Sequence, residues 1–165
     1  MQSRIKMMIL AVGLSAAACS GGAKTKEFGK PDADAIRGVI EDFASSYNAR
    51  DTTRLMSHFA GNAVLMPPNA STLRGADSIK GYFQARFDVD GATDLVVEPK
   101  DVSGHGPLAY ASGDFTLALK PAGGPERRDR GKVLWILRNL AGRWLYEYSI
   151  WSSDLPPQPA AAASN

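Results

Sequence analysis

Apolar residues recur at spacings of three and four along Ile36, Val39, Ile40, Phe43 and Tyr47, and this stripe predicts an amphipathic helix capped by Asp32 or Asp34. Asp51 caps a short second helix carrying Leu55, Met56 and Phe59. Ala63–Met66 reads as a brief apolar strand stopped by Pro67-Pro68, and Gly75 opens a third helix that buries Ile79, Tyr82, Phe83 and Phe87. The period then changes. Leu95–Val102, Leu108–Leu119, Gly131–Arg138 and Arg143–Trp151 are rich in β-branched and aromatic residues and predict strands. Turn chemistry at Pro121-Ala122-Gly123-Gly124-Pro125 and Asn139-Leu140-Ala141-Gly142 makes neighbouring strands antiparallel partners. Pro99 implies a bulge or an edge. Helices followed by a run of strands predict an α+β domain, helices packed on one face of a curled sheet.

The two ends of the chain follow other rules. Arg4 and Lys6 precede the apolar run Met7–Ala18, and small residues lead into Cys19, the sole cysteine. This is the layout of an export signal over residues 1–18, with too short an apolar run to span a bilayer as a helix. Small residues ending in Cys resemble the bacterial lipoprotein signal, although Ala16 stands where Leu is usual. That resemblance implies an acylated Cys19 and a membrane-anchored, periplasm-facing protein. Ser20 in place of Asp resembles outer-membrane sorting. An ordinary secretory signal with a chance Cys is the plainer alternative. Residues 19–30 then read as lipidated Cys and flexible tether, 31–155 as one domain, and 156–165 as a disordered tail.

Charge narrows the function classes. Losing Arg4 and Lys6 with the signal leaves 19 − 2 = 17 basic residues against 17 acidic ones. A formally neutral domain is not an electrostatic nucleic-acid binder. With Cys19 given to lipid no internal disulfide forms, and two His without further Cys argue against zinc. No metal or cofactor is expected.

Asn62-Ala63-Val64-Leu65-Met66-Pro67-Pro68-Asn69, then Leu73-Arg74-Gly75 and Ile79, set a short strand and a Pro-rich loop before a Gly-led helix. Gly131-Lys132-Val133 runs to Gly142-Arg143-Trp144, and Ile150-Trp151-Ser152-Ser153-Asp154 closes the domain. Together these resemble the SnoaL-like and ketosteroid-isomerase-like superfamily with the nuclear-transport-factor-2 (cystatin-like) fold, nearest its branch of unknown function. The resemblance spans Asp32–Asp154. It implies a cone of three N-terminal helices on a curved antiparallel sheet, an apolar pocket in the cone, and a homodimer. The closing pattern usually carries Asp at Ser149 and Asn at Ser152, so a role for that carboxylate is absent.

A ketosteroid isomerase uses a carboxylate base with a Tyr and a protonated Asp as donors. Carried over, these fall on Pro67, Phe43 and Leu134, which argues against that mechanism. On the last strand, unbroken alternation sets Leu145, Glu147, Ser149 and Trp151 on one face and Trp144, Tyr146, Tyr148 and Ile150 on the other. By analogy to the isomerases, the Glu147 face lines the cone, and the expected pocket is Phe43, Tyr47, Met66, Tyr82, Phe83, Leu134, Ser149 and Trp151. A carboxylate there would have a raised pKa. Glu147, or Asp114 in the row Ser112, Asp114, Thr116, is thus the candidate acid or base of an isomerase, cyclase or dehydratase. The plainer alternatives are Glu147 solvated or paired with Arg at the mouth, and Asp114 on a solvated face. His58 reads as a boundary residue, His105 as an exposed turn residue, and Asp154 as a local cap or pair.

The leading expectation is a pocket for a small apolar or amphipathic ligand, without a recognised catalytic set. Trp144, Tyr146 and Tyr148 are the expected dimer surface, or the face of an interaction module. If the alternation is inverted, that row fills the cone instead.

Overall fold

The computed structural model describes residues 27–155, so the export signal, Cys19 and the tail from residue 156 lie outside the described residues. The first helix, α1, spans Lys30–Asn48 with Gly29 as its N-cap, not Asp32 or Asp34. Pro31 explains the shift: its fixed φ suits a first turn, where its missing N–H is not needed. Asp32 instead lies inside that turn and accepts from the Gly29 N–H at 3.2 Å, while Asp34 pairs with Lys30. The predicted stripe is buried at Ile36, Ile40, Phe43 and Tyr47. Ahead of the helix, Phe28 packs edge-on against Trp144, ring centres 5.8 Å apart.

Asp51 caps α2 (Thr52–Met56), its Oδ1 accepting from the Arg54 N–H at 2.9 Å. Next come β1 (Phe59–Met66), β2 (Leu73–Arg74) and α3 (Ala76–Asp88), which buries Ile79, Phe83 and Phe87. Four long strands close the chain: β3 (Ala92–His105), β4 (Leu108–Leu119), β5 (Arg127–Leu140) and β6 (Arg143–Ser153). They form one curved, unclosed six-stranded sheet in the order β2-β1-β6-β5-β4-β3. The last four strands pair antiparallel as expected, whereas β1 joins β6 in parallel, a long-range pairing no turn signal announces.

Pro99 lies in an edge strand and beside a bulge, where β3 shifts register between Pro99 and Asp101. A second shift, between Thr93 and Val96, is tied to α1. There the Asn48 amide accepts from Leu95 N–H at 2.7 Å and donates to Leu95 C=O at 2.9 Å. One side chain thus satisfies backbone groups that the irregular ladder leaves open. Between β5 and β6, Ala141 (φ 51°) and Gly142 (φ 84°) make a two-residue turn with both φ positive, matched to the twist of the strands it joins.

A bulge in β6 decides what faces inward. Tyr148 pairs with Ile136 and Tyr146 with Leu137, leaving Glu147 as the extra residue. Alternation therefore changes phase at Glu147. Trp144 and Tyr146 are buried in the core, at 5% and 0% exposure, and beyond the bulge Ser149 is buried. Tyr148 and Ile150 face outward, 37% and 42% exposed. The expected face Trp144-Tyr146-Tyr148-Ile150 is thus divided, and Trp144 and Tyr146 cannot serve as a dimer surface. Tyr146 is buried in a ring cluster with Phe43, Phe59 and Trp135, the last stacked at 5.5 Å and 23°, and Trp144 packs against Phe28.

Candidate functional site

The helices and the inner face of the sheet enclose a pocket. Phe43 and Tyr47 enter it from α1, and Tyr82, Phe83 and Arg86 from α3. The sheet adds Leu65, Leu95, Val97, Phe115, Leu117, Val133 and Trp135, and the stretch of β6 beyond the bulge adds Ser149 and Trp151. Its open volume is about 60 Å³, well below the roughly 300–1,000 Å³ of drug-sized sites. A ring-sized guest therefore requires side chains to move. Tyr82 and Trp151, half-buried and packed edge-on at 5.9 Å, are the pair best placed to swing.

Besides the indole N–H groups of Trp135 and Trp151, the lining offers the phenols of Tyr47 and Tyr82, the Ser149 hydroxyl and the Arg86 guanidinium to orient a guest. Burial pushes both phenols up, Tyr82 to about 12, although the nearby Arg86 charge opposes the rise. Both stay protonated near neutral pH and act as donors. Burial pulls Arg86 down, but Tyr82, Tyr47 and Asp90 outweigh it and raise its pKa. Its Nη1 donates to Asp90 Oδ2, one helical turn on and outside the lining.

Of the expected pocket residues, Phe43, Tyr47, Tyr82, Phe83, Ser149 and Trp151 line the cavity. Leu134 does not: it is 41% exposed on the outer face, and its neighbours Val133 and Trp135 point inward instead. Met66 is also displaced, bordering a surface groove with Pro67 and Pro68 at the end of β1. Glu147, thrown out of alternation by the bulge, accepts from Arg138 Nε at 3.0 Å and Nη2 at 2.8 Å and does not line the cavity. Asp114 sits on the exposed face of β4, 3.5 Å from Lys100. His105 is exposed but ends β3, paired with Leu108, rather than lying in the turn, and Asp154 pairs with Lys132 of the neighbouring strand β5. Among the described residues no group of His, Cys, Asp and Glu is arranged to hold a metal ion.

Two features escaped the sequence reading. Arg86 falls on the stripe Ile79, Tyr82, Phe83, Phe87 of α3, so its position in the pocket wall was available from periodicity. His58 is buried rather than at the boundary, its Nε2 3.1 Å from Asp42 Oδ2 but out of line for a hydrogen bond. Burial lowers the His58 pKa, partly offset by the Asp42 charge. Arg54 grips the same carboxylate from α2.

Solved structures share this architecture. A ketosteroid isomerase-like protein from Erwinia carotovora atroseptica superposes with a TM-score of 0.71 at 19% identity, covering 78% of this chain and 100% of that one. A cystatin-like protein of unknown function from Nostoc punctiforme gives 0.66 at 16% identity, covering 78% and 96%. An NTF2-like protein with a cystatin-like fold from Novosphingobium aromaticivorans gives 0.64 at 16%, covering 75% and 82%. At these identities the likeness establishes the fold alone. A search of curated proteins finds no match. The sequence itself matches the SnoaL-like domain over residues 40–146, and the chain belongs to that family.

Proposed function

We propose that this chain is an envelope lipoprotein that binds a small apolar or amphipathic molecule in its cone without converting it. One observation carries the reading: rings and aliphatic side chains wall the pocket, and its lining includes no Asp, Glu or His. A bound molecule would then meet no proton acceptor suited to neutral pH, since the phenols are held protonated. The isomerase, cyclase or dehydratase alternative needs Glu147 or Asp114 at the ligand. Glu147 is turned to Arg138 and Asp114 to solvent, so the geometry gives that alternative no support.

Attachment would be through acylated Cys19, with the domain facing the periplasm from the outer membrane. Phe28 seats the start of the described chain on Trp144, at the end of β6 away from Ser149 and Trp151.

A second reading concerns the outer face of the sheet. Tyr148, Ile136 and Tyr110 lie in one register row and Ile150 and Leu134 in the next. Tyr110, Leu134, Tyr148 and Ile150 are each more than a third exposed. Charged pairs border this patch, Arg138 with Glu147 and Lys132 with Asp154. An apolar centre with a polar rim is the anatomy of an association surface, and we propose that it forms a homodimer.

The test of the pocket is a thermal-shift screen of the full chain with small apolar and amphipathic compounds, joined to extraction of co-purified molecules. A ligand that binds the native state raises the melting temperature. If no compound raises it and extraction yields nothing, the pocket reading fails.

A further inference from the structure

We propose that the pocket selects molecules with an acidic head, a carboxylate on a small one-ring body, gripped by Arg86 and the phenols of Tyr47 and Tyr82. This rests on the reading of the cone as a binding pocket and names the chemistry it accepts.

The polar groups of the pocket are unevenly matched. Arg86 is the one charged side chain in the lining, and it is desolvated there, its side chain 22% exposed. Tyr82 and Tyr47 stand close enough to sense its charge. Guanidinium accepts nothing, and each phenol, protonated near neutral pH, still has an O–H to donate even where Tyr47 accepts from Arg86. A guest that supplies acceptor oxygens is thus the better match. A neutral ketone would satisfy one donor, whereas a carboxylate offers two oxygens in the plane that a guanidinium fork matches. Asp90 engages Arg86 through Nη1 from outside the lining, holding the side chain along the wall. Nη1 is one of several guanidinium nitrogens, so donors remain for a second carboxylate beside Asp90, at a cost in affinity from the shared charge.

Size and charge limit the class further. A phosphate dianion asks for more positive charge than a single Arg already shared with Asp90. Apart from the Ser149 hydroxyl and the indole N–H groups, the remaining wall, Phe83, Val97 and Leu117 among it, offers apolar or ring surface to the body of the ligand. An open volume of about 60 Å³ favours one ring over a fused system.

The experiment measures binding of benzoate and cyclohexanecarboxylate, with benzyl alcohol and cyclohexylmethanol as neutral counterparts, to the full chain and to its Arg86→Gln variant. The wild type should bind the acids more tightly than the alcohols. In Arg86→Gln the acids should weaken about ten- to a hundredfold, the loss of a charge-assisted pair, while the alcohols, which offer Arg86 only one neutral oxygen, weaken far less. Circular dichroism reports that the variant is folded. Should Arg86→Gln unfold, Asp90→Asn supplies the converse: it frees the guanidinium, so the acids should tighten and the alcohols stay unchanged. Equal binding of acid and alcohol by the wild type, or acid affinity indifferent to both substitutions, overturns the acidic-head assignment and leaves the pocket standing. If the wild type binds neither acids nor alcohols, the pocket reading fails and this inference with it.

Discussion

Tyr146→Phe should stabilise the protein. The Tyr146 side chain is fully buried at 0% exposure, and its hydroxyl has no hydrogen-bond partner among the described residues. Burial alone drives its pKa well above the ordinary tyrosine value, so the group is a neutral O–H stripped of water. Leaving a buried donor unsatisfied costs about 1–3 kcal/mol. The ring contacts that hold the residue do not involve the hydroxyl: Phe43 packs edge-on at 5.6 Å, Phe59 lies tilted at 5.4 Å, and Trp135 stacks at 5.5 Å. Removing one oxygen forfeits only a few atomic contacts, at about 0.1–0.2 kcal/mol each. The balance favours Phe by about 1 kcal/mol.

Urea unfolding followed by tryptophan fluorescence measures this. With a slope of about 1–3 kcal/mol/M, the midpoint should rise by about 0.5 M at unchanged slope. A fall in the midpoint would refute the reasoning, because it would mean that the hydroxyl is hydrogen-bonded in solution and contributes to stability. Tyr146→Asp provides the contrast. A buried, unpaired carboxylate costs several kcal/mol, a large part of the ~5–15 kcal/mol that holds a domain folded, so this variant should unfold.

The outer-face proposal predicts that the parent chain is dimeric at micromolar concentration by light scattering, and that Tyr148→Asp combined with Ile150→Asp gives folded monomers; a monomeric parent ends the proposal. His58 predicts a pH effect. Its folded pKa lies below the unfolded value near 6.5, so the unfolded chain binds the proton more readily. Its contribution is whole above that value and is lost as pH falls from 6.5 toward the lowered pKa; the urea midpoint should drop across this window, and His58→Gln should flatten the drop. Anchoring predicts that Cys19→Ser moves the protein from the membrane fraction to the soluble one; retention with membranes would remove the lipid anchor.

Local pattern determined much of this molecule. The stripe of α1, the cap at Asp51, the four long strands and the Ala141-Gly142 turn all rest on neighbours in sequence, where side-chain period and turn chemistry act directly. Four of the eight expected pocket residues, Phe43, Tyr47, Tyr82 and Phe83, line the cavity for the same reason, since periodicity on the helices gives their inward faces. Arg86 belonged to that legible set but was hidden by its charge, which reads as surface although its stem lies on the buried stripe.

The last strand was different. Trp144 through Trp151 contains no Gly, Pro or other local breaker, so nothing in its composition marks Glu147 as a bulge. That extra residue exists only because two positions of β6 oppose one step of β5, a count made between strands. One unit of register moved Trp144 and Tyr146 into the core, released Glu147 to Arg138, and left Ser149 and Trp151 at the pocket. The outward turn of Leu134 and the parallel join of β1 to β6 were likewise settled between distant segments. Pairing energy is collected across strands, and a side-chain period of two turns any one-residue difference there into a change of face.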